Sequence, residues 1–315
     1  MITMSFPAYG QPISGDDAKP KIITYRRLHI AQSLSAQPDL SGLLSAKSTG
    51  YLFADITKKA GKFDFAADRQ SVWARLQGSW FENEHHLRSY FFGAAGAHFS
   101  LTPNAIAGVM LQFDQMIQES FGAGSTGKGY LIGPYFVAKL QDQPLYFEVR
   151  YLRGRTETDF IGFGSAVEDI VSEQTLATLE VSGQLIFDDF TLTPHLLYSH
   201  LENSQQPFVD NETGRIAEQS MTVTGVVAGL DYSKHLRVQS GDLDFTSGIS
   251  VSWSETVARR FGSTLTEDFG GMWGRVHMGA TYTIESDFKA RASVAGIVTD
   301  SDQNWGIDLE LEMRF

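Results

Sequence analysis

Trp305-Gly306-Ile307-Asp308-Leu309-Glu310-Leu311-Glu312-Met313-Arg314-Phe315 alternates without a fault. Trp305, Ile307, Leu309, Leu311, Met313 and Phe315 fall on one face. Gly306, Asp308, Glu310, Glu312 and Arg314 fall on the other. Side chains on a strand point alternately to its two faces. The segment therefore reads as a β-strand with one apolar face and one charged face, ending in an aromatic residue.

The same period recurs upstream. Val72, Ala74, Leu76 and Trp80 alternate with Trp73, Arg75, Gln77 and Ser79; Ala105, Ala107, Val109, Leu111 and Phe113 with Gly108, Gln112 and Asp114. Leu145, Phe147, Val149 and Tyr151 alternate with Tyr146, Glu148 and Arg150; Met272, Val276 and Met278 with Trp273, Arg275 and His277. About twelve such segments begin near residues 70, 87, 104, 129, 144, 174, 189, 220, 242, 271, 287 and 304. Each runs roughly ten residues, the length a tilted strand needs to cross a bilayer. The apolar faces carry no Asp, Glu, Lys or Arg. Glu148, Arg150, Glu180, Arg275, Lys289, Arg291, Asp308, Glu310, Glu312 and Arg314 lie opposite.

A soluble sandwich also alternates, so two further features decide. Trp80, Tyr151, Tyr232, Trp253, Tyr282, Trp305 and Phe315 sit near the ends of apolar faces, as in the aromatic girdles of a membrane interface. The connections between segments also alternate, about three to six residues and then about fifteen to twenty, as in outer-membrane barrels with short turns on one side and long loops on the other. The stretch Ser233–Gly241 is longer than this rule expects. The pattern predicts an all-β fold, a twelve-stranded antiparallel transmembrane barrel over residues 69–315.

Composition fits that reading. The 315 residues include 25 Lys plus Arg, 37 Asp plus Glu and no Cys, with a formal net charge of −12. An acidic chain is a poor nucleic-acid binder, and without cysteine there is no disulfide, thiolate site or Cys nucleophile. Hydrophobic residues make up 42% and mean hydropathy is −0.15, values that suit a strand giving only alternate residues to lipid. No run of about 18 apolar residues forms a transmembrane helix. Residues 1–21 show no basic segment followed by an apolar one, so no secretory signal is visible. The expectation is a truncated chain whose first 21 residues are a linker or passenger remnant.

Residues 22–68 read as helical, Arg26–Ala36 and then Leu40–Lys59, with Pro38 interrupting and Asp39 or Ser41 as a cap. Small residues such as Ser41 and Ser45 suit a helix confined in a narrow lumen, with Lys58, Lys59 and Lys62 facing the acidic wall. The alternative is a short amphipathic helix packed outside the barrel, or a disordered segment. Gly122-Ala123-Gly124-Ser125-Thr126-Gly127 matches a dinucleotide fingerprint, but a strand follows it where a helix is required, so it is read as a loop. His85, His86, His200, Glu84 and Glu202 are placed near loop tips, where a hydrolase would mount a site; solvated loop residues are the plainer reading. Gly133, beside Tyr135, is read as a seat for an aromatic of a neighbouring strand, or as a relief of curvature.

A helix followed by twelve amphipathic strands ending in Phe resembles the translocator (β) domain of autotransporters, the type V secretion system. Gly108-Val109-Met110-Leu111-Gln112-Phe113-Asp114 resembles that family's third strand, and Gly129 to Lys139 its fourth. Leu145 to Gly154 resembles the fifth and Thr193-Pro194-His195-Leu196-Leu197-Tyr198 the seventh. No Asn-Asn pair stands in the helical segment, so the junction of the self-cleaving subgroup is not visible. The resemblance implies a monomeric, non-enzymatic translocator in the outer membrane of a Gram-negative bacterium, with no cofactor, metal or nucleic acid. It implies a lumen lined by Glu148, Arg150, Arg275, Asp308, Glu310, Glu312 and Arg314. Its partners would be its own N-terminal passenger, the outer-membrane assembly machinery, periplasmic chaperones, and lipid or lipopolysaccharide. The assembly signal would be Leu311, Met313 and Phe315. A porin or channel, or an outer-membrane hydrolase, are the alternative readings.

Overall fold

The computed structural model describes residues 18–44, 50–56, 60–69, 71–82, 86–120, 123–162, 165–210, 214–216, 218–238, 241–260, 266–284, 288–299 and 303–313. A helix α1 (Ala18–Ser35) and a short 3-10 turn (Ser41–Leu44) come first. Then follow β1 (Gly50–Ile56), β2 (Ala60–Arg69), β3 (Val72–Glu82), β4 (His86–Thr102), β5 (Ala105–Ser120) and β6 (Ala123–Lys139). Next are β7 (Leu145–Gly162), β8 (Ser165–Gly183), β9 (Leu185–Ile186), β10 (Thr191–Gln205), β11 (Phe208–Asp210) and β12 (Gly214–Ile216). The chain ends in β13 (Gln219–Val238), β14 (Gly241–Arg260), β15 (Thr266–Ile284), β16 (Phe288–Thr299) and β17 (Gln303–Met313).

The long strands pair antiparallel in chain order, β1 to β8, then β10, then β13 to β17. β9 adds two residues to β10, and β11–β12 is a separate hairpin. All twelve expected segments are strands, from β3 to β17. Among the described residues, β1 and β17 are the ends of the sheet and do not pair with each other.

Burial identifies the lipid face. In β7, Glu148 and Arg150 are 2% and 3% exposed, while Val149 and Tyr151 are 42% and 52% exposed. Ile106, Met110, Gln112 and Asp114 of β5 are buried, and Val109, Leu111 and Phe113 are exposed. An apolar surface left open around an interior that buries charged groups is what a bilayer requires and water forbids. Phe187, Phe190, Tyr232 and Phe245 form a chain of ring contacts at the short-turn end, with centroids 4.6, 5.4 and 6.1 Å apart, consistent with an interfacial aromatic belt. No helix of the described residues is long and apolar enough to cross a membrane.

Three expectations are corrected. The expected second helix is not found among the described residues: Ser41–Leu44 is a 3-10 turn, Gly50–Ile56 is strand β1, and Ala60–Arg69 is strand β2. Small residues at 41–50 mimic a helix signal, but Tyr51, Phe53 and Ile56 favour strand, and Phe63 and Phe65 alternate with Lys62 and Asp64. α1 also begins earlier than expected, with Pro20 in its first turn, where a missing N–H costs nothing. Second, most expected long loops are strand extensions. β5 ends at Ser120 and β6 starts at Ala123; β7 ends at Gly162 and β8 starts at Ser165. Strands of 16 to 20 residues exceed the 9–11 that cross a bilayer, so these hairpins project beyond it. Within the stretch at 233–241, β13 runs to Val238 and β14 begins at Gly241. Third, Ala123 to Gly127 of the fingerprint-like run belongs to β6 and is not a loop, and Gly122 lies outside the described residues.

Leu111→Arg is expected to destabilise the folded barrel by about 2–4 kcal/mol if it lies near the midplane, while Leu111→Ile stays within about 1.5 kcal/mol. Urea titration in lipid vesicles measures both; equal stability of the two variants would contradict the assignment of the lipid face.

Candidate functional site: the lumen and its helix

One helix meets side chains from β3 to β10. Gln77 Nε2 of β3 donates to the Ala36 carbonyl at 3.1 Å. Tyr25 donates to the Met116 carbonyl of β5 at 2.7 Å. Arg26 donates to Gln205 Oε1 of β10 at 3.1 Å, to the Asn203 carbonyl at 3.2 Å, and to the Asn203 side-chain oxygen. A flat sheet would put β3 and β10 about 29 Å apart, six spacings of 4.8 Å, and a helix is only about 10–12 Å across. The sheet therefore curls around α1, and the helix lies inside it.

The helix has a direction. Tyr25 packs edge-on against Phe160, rings 5.4 Å apart, where β7 nears the turn that leads into β8. Further along, His29 Nε2 lies 3.1 Å from Asp114 Oδ2, which also accepts from Tyr90 at 3.2 Å. Gln37 Nε2 donates to Gln112 Oε1 at 3.0 Å. Asp39 lies in a cavity of ≈ 380 Å³ with Asn104, Lys139, Tyr146 and His195, beside the short turns. From residue 25 to 39 the chain thus descends β5 from residue 116 towards residue 104, and its N-terminal end points to the projecting hairpins. Eighteen residues of α1 make about 27 Å of helix, close to the thickness of a hydrocarbon core.

Below the helix, β7 holds the extended linker. Arg150 donates to Gln37 Oε1 at 3.0 Å and to the Pro38 carbonyl at 2.6 Å. Glu148 Oε2 accepts the Leu40 N–H at 2.7 Å and its other oxygen contacts Arg150. An isolated buried charge is costly, and pairing is what makes two tolerable here. Asp39 Oδ1 accepts the Ser41 N–H at 2.9 Å and hydroxyl at 2.7 Å, capping the 3-10 turn.

The predicted luminal residues divide. Glu148 and Arg150 touch the linker. Ser41 lies in the cavity wall. Arg275 lies on β15 and is half-buried. Asp308, Glu310 and Glu312 lie on β17, and Leu311 and Met313 on the same strand; their side chains, with Ser45, Lys58, Lys59, Arg314 and Phe315, are outside the described residues. Lys62 is in β2 and not on a helix.

Gly133 does not seat an aromatic. A Cβ there would meet the backbone of Tyr151, and the β6–β7 pairing skips Gly133 and Pro134 without a change of register. The seat for Tyr135 is Gly108, whose Cβ would lie 2.6 Å from the tyrosine ring. Tyr135 then accepts from Trp73 Nε1 at 2.9 Å and lies 3.0 Å from His98 Nδ1, tying β3 and β4 to β6 along one stretch of wall. His200 and Glu202 are within β10 and not at loop tips; His200 Nδ1 lies 3.1 Å from Thr224 Oγ1.

Two features escaped sequence reasoning. The inner face carries Phe92, Met116, Leu152, Leu176, Leu201 and Met221, packed with Ile30, Leu34 and Leu40 into one apolar cluster. Without the helix these side chains would face luminal water; burying each contributes about 1.5–3 kcal/mol. The glycines of β6 make room for it. A Cβ at Gly127 would stand 2.6 Å from the Tyr25 hydroxyl and 3.0 Å from the His29 ring. The glycine run that imitated a nucleotide motif is the signal that was available.

Arg150→Met removes the anchors of Gln37 and Pro38 and strands the Glu148 carboxylate, so stability is expected to fall by about 3–5 kcal/mol. Limited proteolysis near residue 38 should accelerate, and Glu148→Leu added to Arg150→Met should recover part of the loss. Unchanged proteolysis would contradict the clamp.

The family described as autotransporter β-domain matches residues 72–295 of the 315. No curated protein matches. Among solved structures, the β domain of the Bordetella autotransporter BrkA is similar over 78% of this chain and 99% of that one, at 16% identity and TM-score 0.48. The translocator domain of NalP from Neisseria meningitidis is similar over 95% and 97%, at 16% identity and TM-score 0.45. The transport unit of AIDA-I from Escherichia coli is similar over 85% and 87%, at 14% identity and TM-score 0.44. On the family match, which covers well over half of the sequence, this chain belongs to the autotransporter β-domain family, the outer-membrane translocators of Gram-negative bacteria that serve an N-terminal passenger.

Proposed function

We propose that α1 and the linker to Leu40 are the luminal tether of the passenger, held with the passenger end towards the projecting hairpins and the surface. The observation that carries this is the direction of the segment, from Tyr25 beside Met116 to Asp39 beside Asn104. The bonds of Arg26 to Asn203 and Gln205, and of Arg150 to Pro38, supply the grip. In this reading the helix also closes the lumen, because its apolar cluster leaves the inner wall of β4 to β13 in contact with protein instead of water.

The reading assigns the chain no catalytic step. Of the residues a loop-borne hydrolase would use, His200 and Glu202 are strand residues, His86 opens β4, and Glu84 and His85 lie outside the described residues. The chain would act as a monomer, with lipid or lipopolysaccharide outside. Periplasmic chaperones and the outer-membrane assembly machinery would deliver it, the latter engaging the terminal strand through Leu311, Met313 and Phe315. The apolar alternation of that strand and its place at the end of the sheet support this assignment.

Planar-bilayer conductance tests the tether. The intact chain is expected to be nearly closed, and removal of residues 1–36 to raise conductance several-fold. High conductance in the intact chain, unchanged by the deletion, would favour an open channel.

A further inference from the structure

The hairpin β1–β2 occupies the edge of β3, and that edge is also the one the last strand needs. β2 pairs with β3 over ten residues, Ala60 with Phe81 through Arg69 with Val72. The fit is specific. Arg75 and Asp64 form an ion pair at 3.0 Å. Trp80 of β3 lies on Gly61 of β2, and Phe63 of β2 lies on Gly78 of β3. β2 carries Phe63, Phe65 and Ala67 on the face of Leu76 and Ala74, and Lys62 and Asp64 on the face of Arg75, so it continues the amphipathic pattern of a barrel strand.

The sheet has two open edges among the described residues, at β1 and at β17. Open edges do not persist in lipid, because unpaired backbone groups find no water there. β1 has 7 residues and β17 has 11. A crossing strand needs about 9–11, so β1 as described is shorter than a partner of β17 across the bilayer needs to be. β3 has 11 residues, the same as β17. β2, with 10 residues, runs parallel to β17 in the alternating order, so closure on β3 is the length-matched antiparallel solution, and it requires β2 to leave.

We propose that the β1–β2 hairpin is an exchangeable placeholder that covers the β3 edge until β17 displaces it and closes the barrel. It keeps the first barrel strand from pairing with foreign strands before the last one arrives.

Cysteine pairs report the exchange. Ala67→Cys with Ala74→Cys, and Lys62→Cys with Ser79→Cys, join register partners of β2 and β3 at the two ends of the strand. The full chain is oxidised before folding into lipid vesicles is complete, and again after closure, scored by the heat-dependent shift of the folded form on a gel. Disulfides are expected to form readily before closure. Their yield should fall at least about tenfold in the closed barrel, because cysteines with Cα atoms beyond about 7 Å cannot bridge. Disulfides locked in early should block the shift, and reductant should restore it. Equal yields before and after closure would overturn the proposal by making β2 a permanent barrel strand. Failure of both pairs to form at either stage would overturn it too.

Discussion

A peptide group inside a bilayer has no water to bond, so every N–H and C=O in the membrane must find a partner within the protein. That constraint fixes the organisation of this chain. It makes the antiparallel neighbours of β3 to β17 obligatory, imposes a strict period of two on their side chains, and leaves the sheet unable to end in an open edge. The apolar outer face and the buried Glu148 and Arg150 follow from the same requirement, since one side of each strand is given to lipid and the other to the interior.

The interior poses a second problem, which the helix resolves. A twelve-strand lumen is too wide for wall side chains alone to fill, and much of this wall is apolar. α1 supplies the missing partner surface. Its small and medium side chains, Ser33, Ile30 and Leu34, fit against the wall, and the glycines at 127 and 129 deepen it where Tyr25, His29 and Asp114 meet. The polar bonds do different work from the apolar ones. Contacts such as Leu34 in the cluster do not specify a depth, whereas Arg150 to Pro38 and Glu148 to Leu40 set the linker at one position along the strands. A segment fixed in direction and depth is what a translocator needs to hold a passenger at one face of the membrane.

How much of this was legible depended on whether one force dominated a position. Lipid dominates the outer face, so the strands around Val109, Val149 and Met278 could be read directly from alternation. The N-terminal segment answers to several demands at once, and it was misread. Small residues between Ser41 and Gly50 suggested a helix, while Phe63 and Phe65 obey the strand period within a region assigned to the lumen. The identity of the helix grip was likewise hidden. Amides such as Asn203 and Gln205 carry no distinctive spacing, and Gly127 looks like a loop residue until its missing Cβ is seen to admit the Tyr25 hydroxyl. Gly108 was passed over for Gly133 because cross-strand register, and not proximity in sequence, decides which glycine an aromatic covers.

The central claim is that the N-terminal segment runs through the lumen with its first residues towards the surface. Single cysteines at Lys21 and at Gly42, in otherwise cysteine-free chains, can be probed in whole cells with a membrane-impermeant maleimide. The account predicts that Lys21→Cys is labelled from outside, and that Gly42→Cys is labelled only after the outer membrane is permeabilised. Labelling of Gly42→Cys but not Lys21→Cys in intact cells, or equal labelling of both, would contradict it.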